Sequence, residues 1–118
     1  MNKRRGTEAE QLAETWLEQQ GLKPLARNFQ IPGGELDLVM RDGNTLVIME
    51  VRHRSGKHHG SAVESITAVK QRRLVRATEH FLLRHPALRR LSVRFDVVTF
   101  DGLLKPPPQW LKDAFRLT

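Results

Sequence analysis

Apolar residues recur along this chain with two spacings, one helical and one alternating, and the switches between them mark its elements. Leu12, Ala13, Trp16 and Leu17 fall on one helical stripe. Thr7-Glu8-Ala9-Glu10 before them has the form of a capping box, and Gly21 after them that of a C-terminal stop, so a helix is expected over 7–20. Lys23 to Ile31 reads as a strand interrupted at Arg27-Asn28, and Pro32-Gly33-Gly34 turns the chain. Strands over 35–41 and 45–52 follow, with Asp42-Gly43-Asn44 between them as a hairpin signal. His53 to Gly60 is polar, basic and glycine-containing, which predicts a mobile loop leaving the last of these strands.

Ile66, Val69, Leu74, Ala77, Phe81 and Leu82 return to helical spacing, predicting a long helix that starts near Thr67 and stops before Pro86. Val93, Phe95, Val97 and Thr99 then alternate with Arg94, Asp96, Val98 and Phe100, a fourth strand closed by Asp101-Gly102. Lys105-Pro106-Pro107-Pro108 leaves the sheet, and Trp110, Leu111, Ala114 and Phe115 form a short apolar patch expected to dock on the body. The order is α-β-β-β-α-β: an α/β chain with a mixed sheet flanked by helices, whose long connection can deliver a parallel strand. No repeat or boundary divides residues 1–118, so a single domain is expected.

Acidic residues inside strands change the picture. Period two puts Leu36, Leu38 and Met40 on one face and Glu35 and Asp37 on the other, while Leu46, Ile48, Glu50 and Arg52 share a face of the next strand. Asp37 and Glu50 have opposite parity, so either Asp42-Gly43 or Gly43-Asn44 as the central pair of the turn brings them to the same face. Asp37 then lies opposite Ile48 or Glu50, with the two carboxylates roughly 5 to 8 Å apart. Two readings stand. The hairpin is half exposed with its acids on a wet face, or a cation such as Mg²⁺ lies between the carboxylates and relieves their repulsion.

Composition bears on that choice. Lys and Arg number 20 against 13 Asp and Glu, a formal charge of +7, which points to a polyanionic partner or to a basic surface kept for solubility. The excess is concentrated in Arg52 to Lys57 and Lys70 to Arg94, and the acids in the first 50 positions. Arg52, Arg54, Lys57, Lys70, Arg72, Arg73 and Arg76 are therefore the expected nucleic-acid-binding residues, with DNA as the expected partner. There is no cysteine, which excludes disulfides and thiolate metal sites and makes a reducing cytoplasm the expected compartment. No apolar stretch approaches the ~18 residues of a membrane span.

An acidic pair beside basic residues suits phosphodiester hydrolysis, which needs a metal held by hard oxygen ligands and a nearby cation. Asp37 and Glu50 would be the ligands, with the Val51 carbonyl as a third and Arg52 as the cation. Asp37, twelve intervening residues and Glu50-Val51-Arg52 resemble the PD-(D/E)xK nuclease signature. The wider frame resembles the YraN family of bacterial proteins, through Glu10-Gln11-Leu12-Ala13, Arg27-Asn28, Gly34-Glu35-Leu36-Asp37-Leu38, Met49-Glu50-Val51-Arg52-His53-Arg54, Gly60, Lys70 and Arg94-Phe95-Asp96-Val97-Val98. That resemblance implies a restriction-endonuclease-like fold related to archaeal Holliday junction resolvases, Asp37 and Glu50 as ligands of Mg²⁺ or Mn²⁺, and Glu10 as a helix-borne acidic partner. Glu10 has a second reading, as the backbone cap of its own helix.

One position departs from the signature, which has lysine where this chain has Arg52. Arginine stays charged and cannot act as a general base, though it binds phosphate bidentately. Lys70 is either a displaced lysine reaching the site or a solvated charge at a helix start. His53, His58 and His59 read as loop histidines without a catalytic role, and Trp16, Trp110 and the phenylalanines as core. The expectation is a metal-dependent endonuclease acting on branched or recombination DNA. The alternative is a nucleic-acid-binding module of the same fold without turnover, and a homodimer is expected by analogy alone.

Overall fold

The computed structural model describes residues 2–54 and 66–116, with side chains from Glu8 onward. The elements in order are α1 (Asn2–Gln19), β1 (Lys23–Ile31), β2 (Gly34–Asp42), β3 (Thr45–Arg54), α2 (Ala68–Arg84), a short 3-10 turn (Pro86–Arg90), β4 (Ser92–Asp101) and β5 (Gln109–Phe115). The strands lie side by side in sequence order. All neighbours are antiparallel except β3 and β4, which are parallel across the α2 connection. This mixed sheet with two helices is the expected α/β architecture and is compatible with the restriction-endonuclease-like fold.

α1 departs from expectation at its start and meets it at its end. It begins at Asn2, so Thr7 lies inside the helix and does not open it; an interior threonine costs a helix only a few tenths of a kcal/mol, which does not stop it. At the other end Gly21 adopts φ +100. There its N–H donates to the Glu18 carbonyl at 3.0 Å and that of Leu22 donates to Leu17 at 3.1 Å. This double closure is the Schellman pattern, and it folds Leu22 back beside Leu17 in the core.

The sheet is covered on both faces. α1 lays Ala9, Ala13 and Leu17 against Leu38, Met40, Val47, Met49, Val98 and Phe100. α2 lays Leu74, Ala77 and Phe81 against Leu36, Val39, Leu46, Ile48, Phe95 and Val97. Residues 36–40 and 46–50 are consequently all buried, which corrects the half-exposed hairpin: Asp37 and Glu50 do not sit on a wet face, and only Glu35 at the start of β2 stays exposed. Leu36 packs on the α2 side and Leu38 on the α1 side, so the face assignment that grouped them is corrected as well. The change of side falls at Asp37, beside the β1 residue Asn28, whose φ of +57 twists the ribbon locally.

Close approach fixes α2 against the β1–β2 turn. A Cβ on Gly34 would stand 2.9 Å from the Arg73 carbonyl oxygen, so the turn seats on the helix only with glycine there. The chain from Trp110 to Phe115 is a fifth strand paired with β4, more than a docked patch. Its alternation was hidden by Asp113, at φ +56, where the register shifts between Phe95 and Val97. β3 likewise runs through His53 and Arg54, two residues into the expected loop; the remainder of that loop, 55–60, lies outside the described residues. No described helix is long and apolar enough to cross a membrane.

Candidate active site

The β2–β3 hairpin pairs Asp42 with Thr45, so the turn is Gly43-Asn44, one of the two even loops expected, with Gly43 at φ +59. The ladder runs through Leu38 opposite Met49. Asp37 and Glu50 lie one step beyond the end of that ladder, close enough for the Glu50 charge to act on the Asp37 carboxyl. Both are buried, at 8% and 5% exposure, and Glu10 of α1 is also 8% exposed. The Val51 amide donates to Asp37 Oδ2 at 2.9 Å, which holds that carboxyl in place.

Glu50 is the ionic centre. Its Oε2 is 3.3 Å from Arg52 Nη2 and 3.2 Å from Lys70 Nζ. Lys70 arrives from the first turn of α2, where the Thr67 side chain accepts from the Lys70 N–H at 3.2 Å. Thr67 is thus the helix cap that the periodicity indicated, and the ammonium it positions is ion-paired to the site, which removes the solvated-charge reading. The other carboxylate oxygen, Glu50 Oε1, is buried and has no hydrogen-bond partner among the described residues, and the same holds for Glu10 Oε1.

Burial raises the pKa of Asp37 to about 8, the Glu50 charge adds to the rise and the Val51 N–H opposes it. Glu10 is raised too, first by burial and then by the charge of Glu35, against the Asn28 and Asp37 hydrogen bonds and the Arg27 charge. Carboxyls withdrawn from water beside one another hold a proton unless a cation replaces it. Among the described residues no three His, Cys, Asp or Glu side chains form a metal-holding group. The donor set that fits is smaller: Asp37 and Glu50, with Val51 between the ligand and Arg52, which suits Mg²⁺ or Mn²⁺ because such ions take one or two carboxylates and complete their shell with water and phosphate. The buried, unpartnered Glu50 Oε1 is the observation that favours this fit.

The remaining residues divide. Arg72, Arg73 and Arg76 are exposed along α2 and do not pair with the carboxylates. Arg54 is at the end of β3, and Lys57, His58 and His59 lie outside the described residues. His53 is a strand residue with its Nε2 2.6 Å from the Gly102 carbonyl oxygen, and it is not part of the site. Trp16 and Trp110 pack edge to face with centroids 5.8 Å apart.

Two features escaped sequence reasoning. Glu35, at the mouth of the site, acts electrostatically on both Asp37 and Glu10 and accepts a 3.2 Å hydrogen bond from Gln30. Asp96, fully buried, accepts from Arg94, Trp110 and the Asp113 N–H. An acid flanked by Phe95, Val97 and Val98 was the available signal for the second, since a buried carboxylate requires partners.

Comparison with known proteins matches residues 9–100 to the family described as "Uncharacterised protein family UPF0102". A UPF0102 protein of Aeromonas hydrophila is 46% identical over 113 residues, covering 94% of this chain and 84% of that protein. One from Alkalilimnicola ehrlichii is 49% identical over 110 residues, covering 93% and 85%. One from Xanthomonas campestris is 49% identical over 114 residues, covering 96% and 92%.

Proposed function

The chain belongs to the UPF0102 family, the family its YraN resemblance names, and from the geometry of its buried carboxylates we propose that it is a metal-dependent nuclease hydrolysing phosphodiester bonds of DNA, with branched or recombination intermediates as substrates. The supporting observation is the burial of Asp37 and Glu50 beside one another just past the end of the β2–β3 ladder, with Arg52 and Lys70 converging on Glu50 Oε2. Asp37, Glu50 and the Val51 carbonyl would hold Mg²⁺ or Mn²⁺, which would supply Lewis acidity toward a phosphate and toward water.

The chain's own groups do the rest. The Val51 N–H orients Asp37. Arg52 and Lys70 bring two cations to the edge of the site, where they bind phosphate oxygens and offset charge gathering on phosphorus. Arg52 keeps its proton throughout, so of the two only Lys70 is able to exchange one. Glu10 brings a third carboxyl to the α1 side and holds a proton more tightly than an exposed glutamate does. Arg72, Arg73 and Arg76, with Arg54 and Lys57, supply the phosphate contacts that hold the duplex.

Purified protein should nick a four-way or flap substrate in Mg²⁺ or Mn²⁺, and Asp37→Ala or Glu50→Ala should lower the rate by about a hundredfold or more while the chain stays folded by circular dichroism. Cleavage that persists equally in both variants belongs to a contaminant and refutes the proposal. The fixed charge of Arg52 in the lysine position favours a second reading, a DNA-binding module without turnover. It predicts salt-sensitive binding indifferent to chelator and no cleavage in either metal.

A further inference from the structure

A cleft of about 330 Å³ opens beside the carboxylates, between the β1–β2 turn and the first turns of α2. Lys70 is common to both, since it lines the cleft and pairs with Glu50. Arg73 stands next to it on α2, while Gln30, Gly33, Gly34 and Glu35 form the opposite wall. The walls are held at a set distance, because the Gly34 backbone rests on the Arg73 carbonyl with no room for a Cβ.

The chemistry of the two walls differs, and the difference identifies what enters. Lys70 and Arg73 are donors only and suit phosphate oxygens. Glu35 is an acceptor only, and Gln30 offers both a donor and an acceptor. A bare phosphate at Glu35 would meet a like charge, and it has no hydrogen to give. The group there has to carry N–H or O–H, as a nucleobase edge or a sugar hydroxyl does. A duplex also presents N–H groups in its grooves, but a cleft of about 330 Å³ admits one nucleotide and not a helix, so the base whose edge reaches Glu35 is an unpaired one.

We propose that this cleft is a subsite for one unstacked, unpaired nucleotide flanking the scissile phosphate, its phosphate on Lys70 and Arg73 and its base edge on Glu35 and Gln30. The volume is at the small end of ligand sites and suits a single nucleotide rather than a helix. The proposal rests on the nuclease reading for the position of the scissile phosphate, and it specifies the substrate: DNA with single-stranded character at the cut, such as a fork or flap.

Binding measured by fluorescence anisotropy in EDTA separates this from catalysis. Wild-type protein should bind forked DNA with unpaired arms about tenfold more tightly than a blunt duplex of equal length, a difference of about 1.4 kcal/mol. Gln30→Trp, which fills the cleft, should abolish the preference. Glu35→Gln removes one negative charge, so a merely electrostatic role predicts tighter binding to both DNAs, whereas the subsite predicts loss of the preference for the fork. Both positions border solvent, and thermal melting checks that the variants fold. A wild-type protein without the preference, or variants that keep it, overturns the subsite. Cleavage by wild type together with an unaltered preference in the variants would remove the subsite and leave the nuclease. A cleft-dependent preference without cleavage in Mg²⁺ or Mn²⁺ would do the reverse.

Discussion

At Asp37 burial and the facing Glu50 charge both favour the neutral acid, and its pKa of about 8 has a consequence for stability. An aspartate in the unfolded chain loses its proton near pH 4. Between that value and about 8 the folded state therefore binds more protons than the unfolded one, and stability falls as pH rises through this interval. Glu10 is shifted in the same direction and adds to the slope. Urea unfolding in EDTA should show the midpoint dropping from pH 5 to pH 8 and levelling above, with Asp37→Asn flattening the decline; a midpoint that rises over the interval contradicts the assignment. Parity and an even turn were enough to bring Asp37 and Glu50 to one site. The choice between the two readings of Lys70 was not legible, because it depends on how far α2 lies from the sheet, and no local spacing encodes that distance.

Among the elements, β5 is tied to the sheet by one carboxylate. Asp96 receives Arg94 Nε at 2.9 Å, Trp110 Nε1 at 3.0 Å and the Asp113 N–H at 2.9 Å. Arg94 also reaches Asp42 at 3.2 Å, so the β2–β3 turn is held by the same group. Asp96→Ala should cost about 3–5 kcal/mol in urea unfolding, since it leaves the partly buried Arg94 guanidinium with Asp42 alone and deprives the Trp110 and Asp113 donors of their acceptor. Trp110→Phe removes one neutral donor and should cost about 1 kcal/mol; equal costs would show that Asp96 is not the fastening. Regular elements were legible because their periods survive in the sequence: β2, β3, α2 and β4 fall where alternation or helical spacing put them. β5 was not, because the bulge at Asp113 breaks the period-two signal. The start of α1 was misplaced because a capping box is a local preference and a helix able to continue overrides it.

At the scale of the whole molecule, a charge of +7 coexists with buried acids, and α2 carries both relations. One flank sends Lys70 to Glu50, while Arg72, Arg73 and Arg76 remain exposed along the helix. If those arginines hold phosphates, replacing all three by glutamine should reduce the slope of log K against log salt for duplex DNA by about 2 to 3, since each phosphate contact contributes about 0.9. An unchanged slope would place the DNA elsewhere. The sequence by itself determined the α/β order, the strand faces apart from the change at Asp37, the even hairpin turn and the nearness of two carboxylates, because each follows from spacing within one element or one tight turn. Only the tertiary structure decided that Asp37 and Glu50 do not sit on a wet face, that Lys70 and Glu10 join the carboxylates from separate helices, and that a cleft opens beside them. Those outcomes depend on two helices closing over opposite faces of one sheet, a relation between segments distant in the chain, and it is burial between those layers that turns a pair of strand acids into a site with shifted protons and unpartnered oxygens.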